Sequence, residues 1–273
     1  MDAASRQSYV AVLERLNTYA DQADPQQLRT VADELLAVAR MLHGQLPLRR
    51  ALADPSRPGE DRAGLLRAVL GNRIGEPTKE LLDVLVAGRW PSASELLDAC
   101  EQLAVQAFLA SGERAGTLAE VEDELFRFSQ VVASHRELAT ALTDWRRPVE
   151  HRASLVETLL SGKATDVTIQ LAKIAVGGLG GRGAEAALAR MVELAAARRD
   201  RSVAYVTVAH PLSEAEERRL SAALAARYGR DVSVKTTVDP RVLGGARVRI
   251  GADLYEGTIA HRLAQARNAL ASR

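Results

Sequence analysis

One cysteine in 273 residues excludes an internal disulfide and suits a reducing compartment. Cys100 stands among Leu96, Leu97, Leu103 and Ala104 in a helical pattern, where it reads as a small core residue. Aromatic residues make up only 4% of the chain, so its cores must be built from leucine, valine and alanine. With abundant arginine and glutamate, that is the composition of helices packed through small residues. Neither sign of charge dominates, with 36 Lys and Arg against 35 Asp and Glu, and the formal net charge of +1 gives no field to gather a polyanion. Nucleic acid is therefore not an expected partner. No basic start leads into an apolar run, and no window of about eighteen uncharged apolar residues occurs. The expectation is a soluble protein that meets a membrane only through a partner.

Signatures of chemistry are equally scarce. The stretch Gly178-Leu179-Gly180-Gly181-Arg182-Gly183 spells GxGxxG ahead of a helical pattern, with Asp200 about twenty residues on. A dinucleotide fingerprint needs a strand before it and an acid at the end of a second strand. Here Ile169, Ala172, Ile174 and Val176 continue a helical pattern, and Asp200 precedes the only strand nearby, so the glycines read as a helix end and a turn. Gly162-Lys163 lacks both the glycine five residues earlier and the Ser or Thr directly after that a phosphate loop requires, since Glu157 and Ala164 hold those places. The five histidines, His43, His135, His151, His210 and His261, show no metal-ligand spacing. No serine lies in a Gly-x-Ser-x-Gly elbow. No catalytic residue, cofactor or metal is expected.

What the chain does contain is helical periodicity. Tyr9, Val12, Leu13 and Leu16 predict an amphipathic helix over 5–20, and Asp24-Pro25 starts a second, over 26–43, with Leu28, Val31, Leu35, Val38 and Leu42 on one stripe. An internal repeat follows. Laid over residue n+90 without a gap, Asp33-Glu34-Leu35 meets Asp123-Glu124-Leu125, and Asp54, Arg57, Pro58 and Arg62 meet Asp144, Arg147, Pro148 and Arg152. Each unit reads as a long helix, a short one ending at the aspartate, one started by the proline and one running to the glycines near 88 or 178. The same register lays 95–110 over 5–20, so the helix beginning near Ser92 is expected to serve twice, closing the first unit and opening the second. A last helix, 184–199, closes the second. The two units can form separate bundles or one body. The organisation expected is 1–112, first repeat; 113–200, second repeat; and 201–273, a C-terminal domain.

The pattern changes after Arg198-Arg199-Asp200-Arg201, a charge run that suits a helix C terminus or a solvated hinge. Val203, Tyr205-Val206 and Val208 predict a strand; Ser213 with Glu216 is a capping box; Leu220, Leu224 and Tyr228 give that helix its face; and Val232, Val234, Thr236 and Val238 alternate as a second strand. Asp239-Pro240 turns the chain, Gly244-Gly245 reverses it, and Ala246, Val248 and Ile250 alternate with Arg247 and Arg249 before Gly251. This third strand is expected beside the 232–238 strand. A short strand over 252–256 pairs back, and Gly257-Thr258 opens a helix with Ile259, Leu263 and Leu270 on one side. The fold class is mostly α with a small C-terminal α/β domain, a duplicated helical bundle followed by strand, helix, strand, hairpin and helix.

Asp239, Leu243, Gly244, Gly245, Val248, Ile250, Gly251, Gly257, Ile259 and the pair Arg262-Leu263, at their fixed spacing, resemble the C-terminal motif of the delta subunit of F-type ATP synthase, a relative of the mitochondrial oligomycin-sensitivity-conferring protein. The leading helix and the bundle extend the resemblance over the whole chain. The doubled unit departs from the ordinary pattern and resembles actinobacterial members. The resemblance implies a non-catalytic stator subunit at the cytoplasmic face of the membrane, holding the N-terminal segment of an alpha subunit and the C-terminal end of a b-type peripheral stalk. It implies an alpha contact on the first and fifth helices, which nominates Tyr9, Val12, Leu13, Leu81, Leu82 and Leu85, and a stalk contact at Ile259, Leu263 and Leu270. Charge at Leu82 is expected to weaken the alpha contact while leaving the fold helical. The reading set against this one is a helical-repeat adaptor unrelated to ATP synthase.

Overall fold

The computed structural model describes residues 3–256 apart from 145, 179, 180, 182, 202, 229–231, 240, 243, 251 and 252. The helices are α1 (Ala3–Ala20), α2 (Pro25–Gly44), α3 (Leu46–Ala53), α4 (Gly59–Leu70), α5 (Glu76–Ala87), α6 (Ala93–Arg114), α7 (Leu118–Ser134), α8 (Arg136–Thr143), α9 (Val149–Leu160), α10 (Asp166–Val176) and α11 (Ala184–Arg201). Then come β1 (Val203–Val208), α12 (Glu214–Tyr228), β2 (Ser233–Val238), β3 (Ala246–Ile250) and β4 (Asp253–Glu256). The chain divides into two compact units, 1–195 and 196–273. The first is all helix; the second holds the sheet.

Helix starts follow local chemistry. Asp24 caps α2 through a full capping box with Gln27, and Ser92 caps α6 by accepting the Glu95 amide. Pro58 and Pro148 stand at the N-caps of α4 and α9 with matching extended backbone. The repeat is reproduced element by element: α3 and α8 occupy 46–53 and 136–143, and α4 and α9 occupy 59–70 and 149–160. Its polar contacts are reproduced too. Glu34 accepts from the Gly75 amide and the Thr78 hydroxyl, while Glu124 accepts from the Thr165 amide and the Thr165 and Thr168 hydroxyls. Both threonines, Thr78 and Thr168, are fully buried, so each glutamate satisfies a hydroxyl that burial would otherwise leave without a partner.

A second duplicated device is an arginine, buried at Arg62 and half-buried at Arg152. Arg62 donates to the carbonyls of Leu52 (3.2 Å), Gly88 (3.0 Å) and Ala87 (3.2 Å), tying the ends of α3 and α5 to α4. Arg152 donates to Leu142 (3.5 Å) and Val176 (2.5 Å) in the same way. These are helix-end carbonyls without an intrahelical donor, and a guanidinium is the side chain able to serve several at once. Arg62→Ala is expected to lower stability by about 3 kcal/mol, and Arg152→Ala by less, since it strands fewer carbonyls. Denaturant titration followed by circular dichroism checks the order. A further contact is kept with its charges reversed: Arg67 pairs with Asp83 between α4 and α5, whereas Glu157 pairs with Lys173 between α9 and α10.

One hydrophobic core runs through both repeats. It gathers Val12, Leu16, Leu35, Leu42, Leu66, Leu81 and Leu85 with Leu103, Val121, Leu125, Val156, Leu171 and Met191. The boundary expected near 112 falls in the last turns of α6, a helix that packs against α1, α2, α3 and α5 and also against α7 and α10. Residues of α6 from Leu103 to Gly112 are buried without interruption. Cys100 is fully buried there, and burial pushes its thiol up to about 12.

In the second unit the strand order is β2-β1-β3-β4. β1 and β2 are parallel with α12 between them in sequence, and β3 pairs antiparallel with β1 and with β4. The expectation that β3 would lie beside β2 is corrected: a parallel β1-α12-β2 crossover leaves the other edge of β1 free, and β3 takes it. Ala204, Val206, Val208, Leu224, Val232, Val248 and Ile250 form the core, with Leu220 and Tyr228 of α12 packed on it. Tyr205 points away, its ring under the Arg249 guanidinium at 4.9 Å. The alternation expected along β2 fades at its end, where Val238 is 44% exposed on the sheet edge. The charge run closes α11, as a helix C terminus accommodates, yet Arg198 is buried, so the run is not solvated throughout.

Candidate helix-docking site

Helices α1 and α5 lie side by side because their facing residues are small at one end. A Cβ on Gly88 would meet the Ser8 Cβ at 2.7 Å, and the Arg89 amide donates to the Ser8 hydroxyl at 2.9 Å. Only glycine permits that approach. Toward the other end the helices splay into a groove of about 340 Å³, lined by Arg15, Thr18, Tyr19 and Gln22 from one side and by Glu76, Pro77, Glu80 and Leu81 from the other. Arg15 pairs with Glu80 across it at 2.5 Å, both side chains about half exposed. The seam is an apolar floor with a charged rim, which matches an amphipathic helix.

Most of the leucines nominated from sequence lie beneath that floor. Val12, Leu81, Leu82 and Leu85 are at most 1% exposed and belong to the bundle core, so the view of Leu82 as an exposed groove residue is corrected. The 3.6-residue period that marks an apolar stripe marks the core first. Tyr9 and Leu13 are partly buried and pack on the same core. The rim residues Arg15, Thr18, Gln22, Glu76 and Glu80 escaped sequence reasoning, which searched for apolar positions. Their signal was the polar flank of the same two helices.

In the second unit, Asp239 takes its amide hydrogen bond to the Val208 carbonyl at 2.9 Å and accepts from the Arg241 amide and guanidinium, each at 3.0 Å. The Arg241 contacts hold the Asp239 carboxyl below the usual range. Gly244 and Gly245 have φ of 65° and 79°, the left-handed region that lets the chain reverse into β3. Val248 and Ile250 then face the core, with β4 pairing back. Leu243, Gly251, Gly257, Ile259, Arg262, Leu263 and Leu270 lie outside the described residues. The glycine stretch at 178–183 follows α10, where a nucleotide fingerprint needs a strand, and the Gly177 amide closes that helix on the Lys173 carbonyl at 3.1 Å. Among the described residues no three His, Cys, Asp or Glu side chains form a group able to hold a metal. Among them, too, no helix is long and apolar enough to cross a membrane.

A duplicated helical bundle joined in one chain to a small mixed sheet defines the class as a mostly α protein with a small C-terminal α/β domain. Residues 104–270 match the family model described as ATP synthase delta (OSCP) subunit. The chain is 56% identical to the ATP synthase subunit delta of Salinispora arenicola and 52% identical to that of Salinispora tropica, in each case covering 99% of both chains. It is 44% identical to that of Streptomyces avermitilis over 98% of both. The chain belongs to the ATP synthase delta (OSCP) family and is a subunit of the F-type ATP synthase.

Proposed function

We propose that the chain is the non-catalytic stator link of the synthase. Its helical unit holds the N-terminal segment of an alpha subunit, and its C-terminal unit holds the C-terminal end of a b-type stalk, at the cytoplasmic face of the membrane. The catalytic head is thereby kept from turning with the rotor, so that proton flow is coupled to ATP synthesis. The observation carrying this reading is the likeness to delta subunits over nearly the whole chain, supported by an open amphipathic groove on α1 and α5. Membrane attachment comes through the complex. An adaptor unrelated to ATP synthase is not compatible with family membership along the whole chain. The contacts nominated above at Tyr9 and Leu13, and at Ile259, Leu263 and Leu270, belong to this proposal, with the α1–α5 rim added to the first set. The test is a pull-down with the tagged chain from membranes stripped at low ionic strength. Recovery of both alpha and b-type subunits is the expected result; recovery of neither overturns the stator role.

A further inference from the structure

Resting on that docking reading, we infer that the chain receives one helical segment and not two, because the α6 wall of the second copy of the groove, between α6 and α10, is already covered by α2 of the first repeat. The 90-residue offset lays α6 over α1 and α10 over α5, so each groove residue has a counterpart. Arg15, Thr18, Tyr19 and Gln22 correspond to Val105, Phe108, Leu109 and Gly112, while Pro77 and Glu80 correspond to Val167 and Gln170. Most of the open rim has become interior, Val105 and Leu109 being 0% exposed, Phe108 2% and Val167 3%, while Asp166, the counterpart of Glu76, stays exposed.

The cause is the double duty of α6. Arg6, Gln7, Val10 and Glu14 face outward on α1, whereas their counterparts Leu96, Leu97, Cys100 and Ala104 are buried, because the first repeat packs where solvent lies in the other copy. Arg29 of α2 donates to Asp166 at the start of α10 at 3.2 Å, and between the two helices only a small cavity of about 150 Å³ remains, lined by Arg29, Asp33, Phe108, Ile169 and Gln170. Arg114 at the end of α6 donates to the Ala23 carbonyl just before α2 at 3.2 Å. A cavity of about 600 Å³ remains beyond the end of this seam, between the starts of α2 and α10, where Asp24, Pro25 and Gln26 stand opposite Ala164 and Thr165.

The family match begins at residue 104, inside α6. The covered groove therefore lies in the part shared with the family model, and the open one in the repeat added ahead of it. Duplication has moved the docking surface forward along the chain instead of doubling it.

The test titrates the full-length chain with a synthetic peptide of the N-terminal segment of the same organism's alpha subunit, by calorimetry and by hydrogen exchange. One peptide per chain is expected, with protection on α1 and α5. Thr18→Trp, on an exposed rim position, should weaken binding about tenfold or more, and Asp166→Lys should change it less than about twofold. Two peptides per chain, or one that protects α6 and α10 and responds to Asp166→Lys alone, overturns the inference. No binding by the unaltered chain overturns the docking reading beneath it, which separates the two failures.

Discussion

Leu82→Asp is expected to unfold the helical unit, not to weaken a single contact. Leu82 is 1% exposed in the continuous core, so the substitution removes a packed side chain and leaves a carboxylate among apolar side chains. The lost packing alone costs about 2–5 kcal/mol. A buried unpaired charge adds several more, or drives the carboxyl to bind a proton. Against a total stability of about 5–15 kcal/mol for a domain, that removes most of the margin. Circular dichroism should show lost helicity or a strongly lowered melting temperature at neutral pH. A variant as helical and as heat-resistant as the parent would contradict the core position of Leu82. Thr18→Trp supplies the contrast, because its site faces solvent and the helix should survive.

Truncation after Gly257 is expected to separate the two halves of the proposed role. The bundle core lies wholly in the first unit, so the shortened chain should remain helical and keep its grip on the alpha segment. The residues removed include Ile259, Leu263 and Leu270, nominated for the stalk. The b-type subunit should be lost from pull-downs, and proton flow should uncouple from ATP synthesis in reconstituted membranes. Normal coupling by the truncated chain would show that the stalk contact lies elsewhere.

The repeat was the most legible feature of the sequence, since its boundaries coincide with helix ends set by proline caps and aspartate turns, which are local signals. The double use of α6 was readable from register alone. That α6 is buried on every side from Leu103 to Gly112 was not, because periodicity reports one apolar face and says nothing of a second partner. For the same reason Leu81, Leu82 and Leu85 were placed in a groove: an apolar stripe looks alike whether it meets its own bundle or another chain. The neighbour of β3 was missed because strand order depends on which edge a crossover leaves free, a property of the sheet and not of any strand. Gly244 and Gly245, by contrast, were identified from their type, because a reversal there requires φ that other residues resist.

The reversed pairs Arg67–Asp83 and Glu157–Lys173 bear on how such a chain finds its partners as it leaves the ribosome. Two repeats of matching helix length offer each hairpin a near-copy of its proper mate, the situation in which tandem proteins misassemble. Were α4 to dock on α10, Arg67 would face Lys173; were α9 to dock on α5, Glu157 would face Asp83. Each wrong union sets like charges together, and each right one sets opposites. A polarity flip between otherwise parallel halves thus acts as an address label that favours α4 with α5 and α9 with α10 over the two crossed pairings.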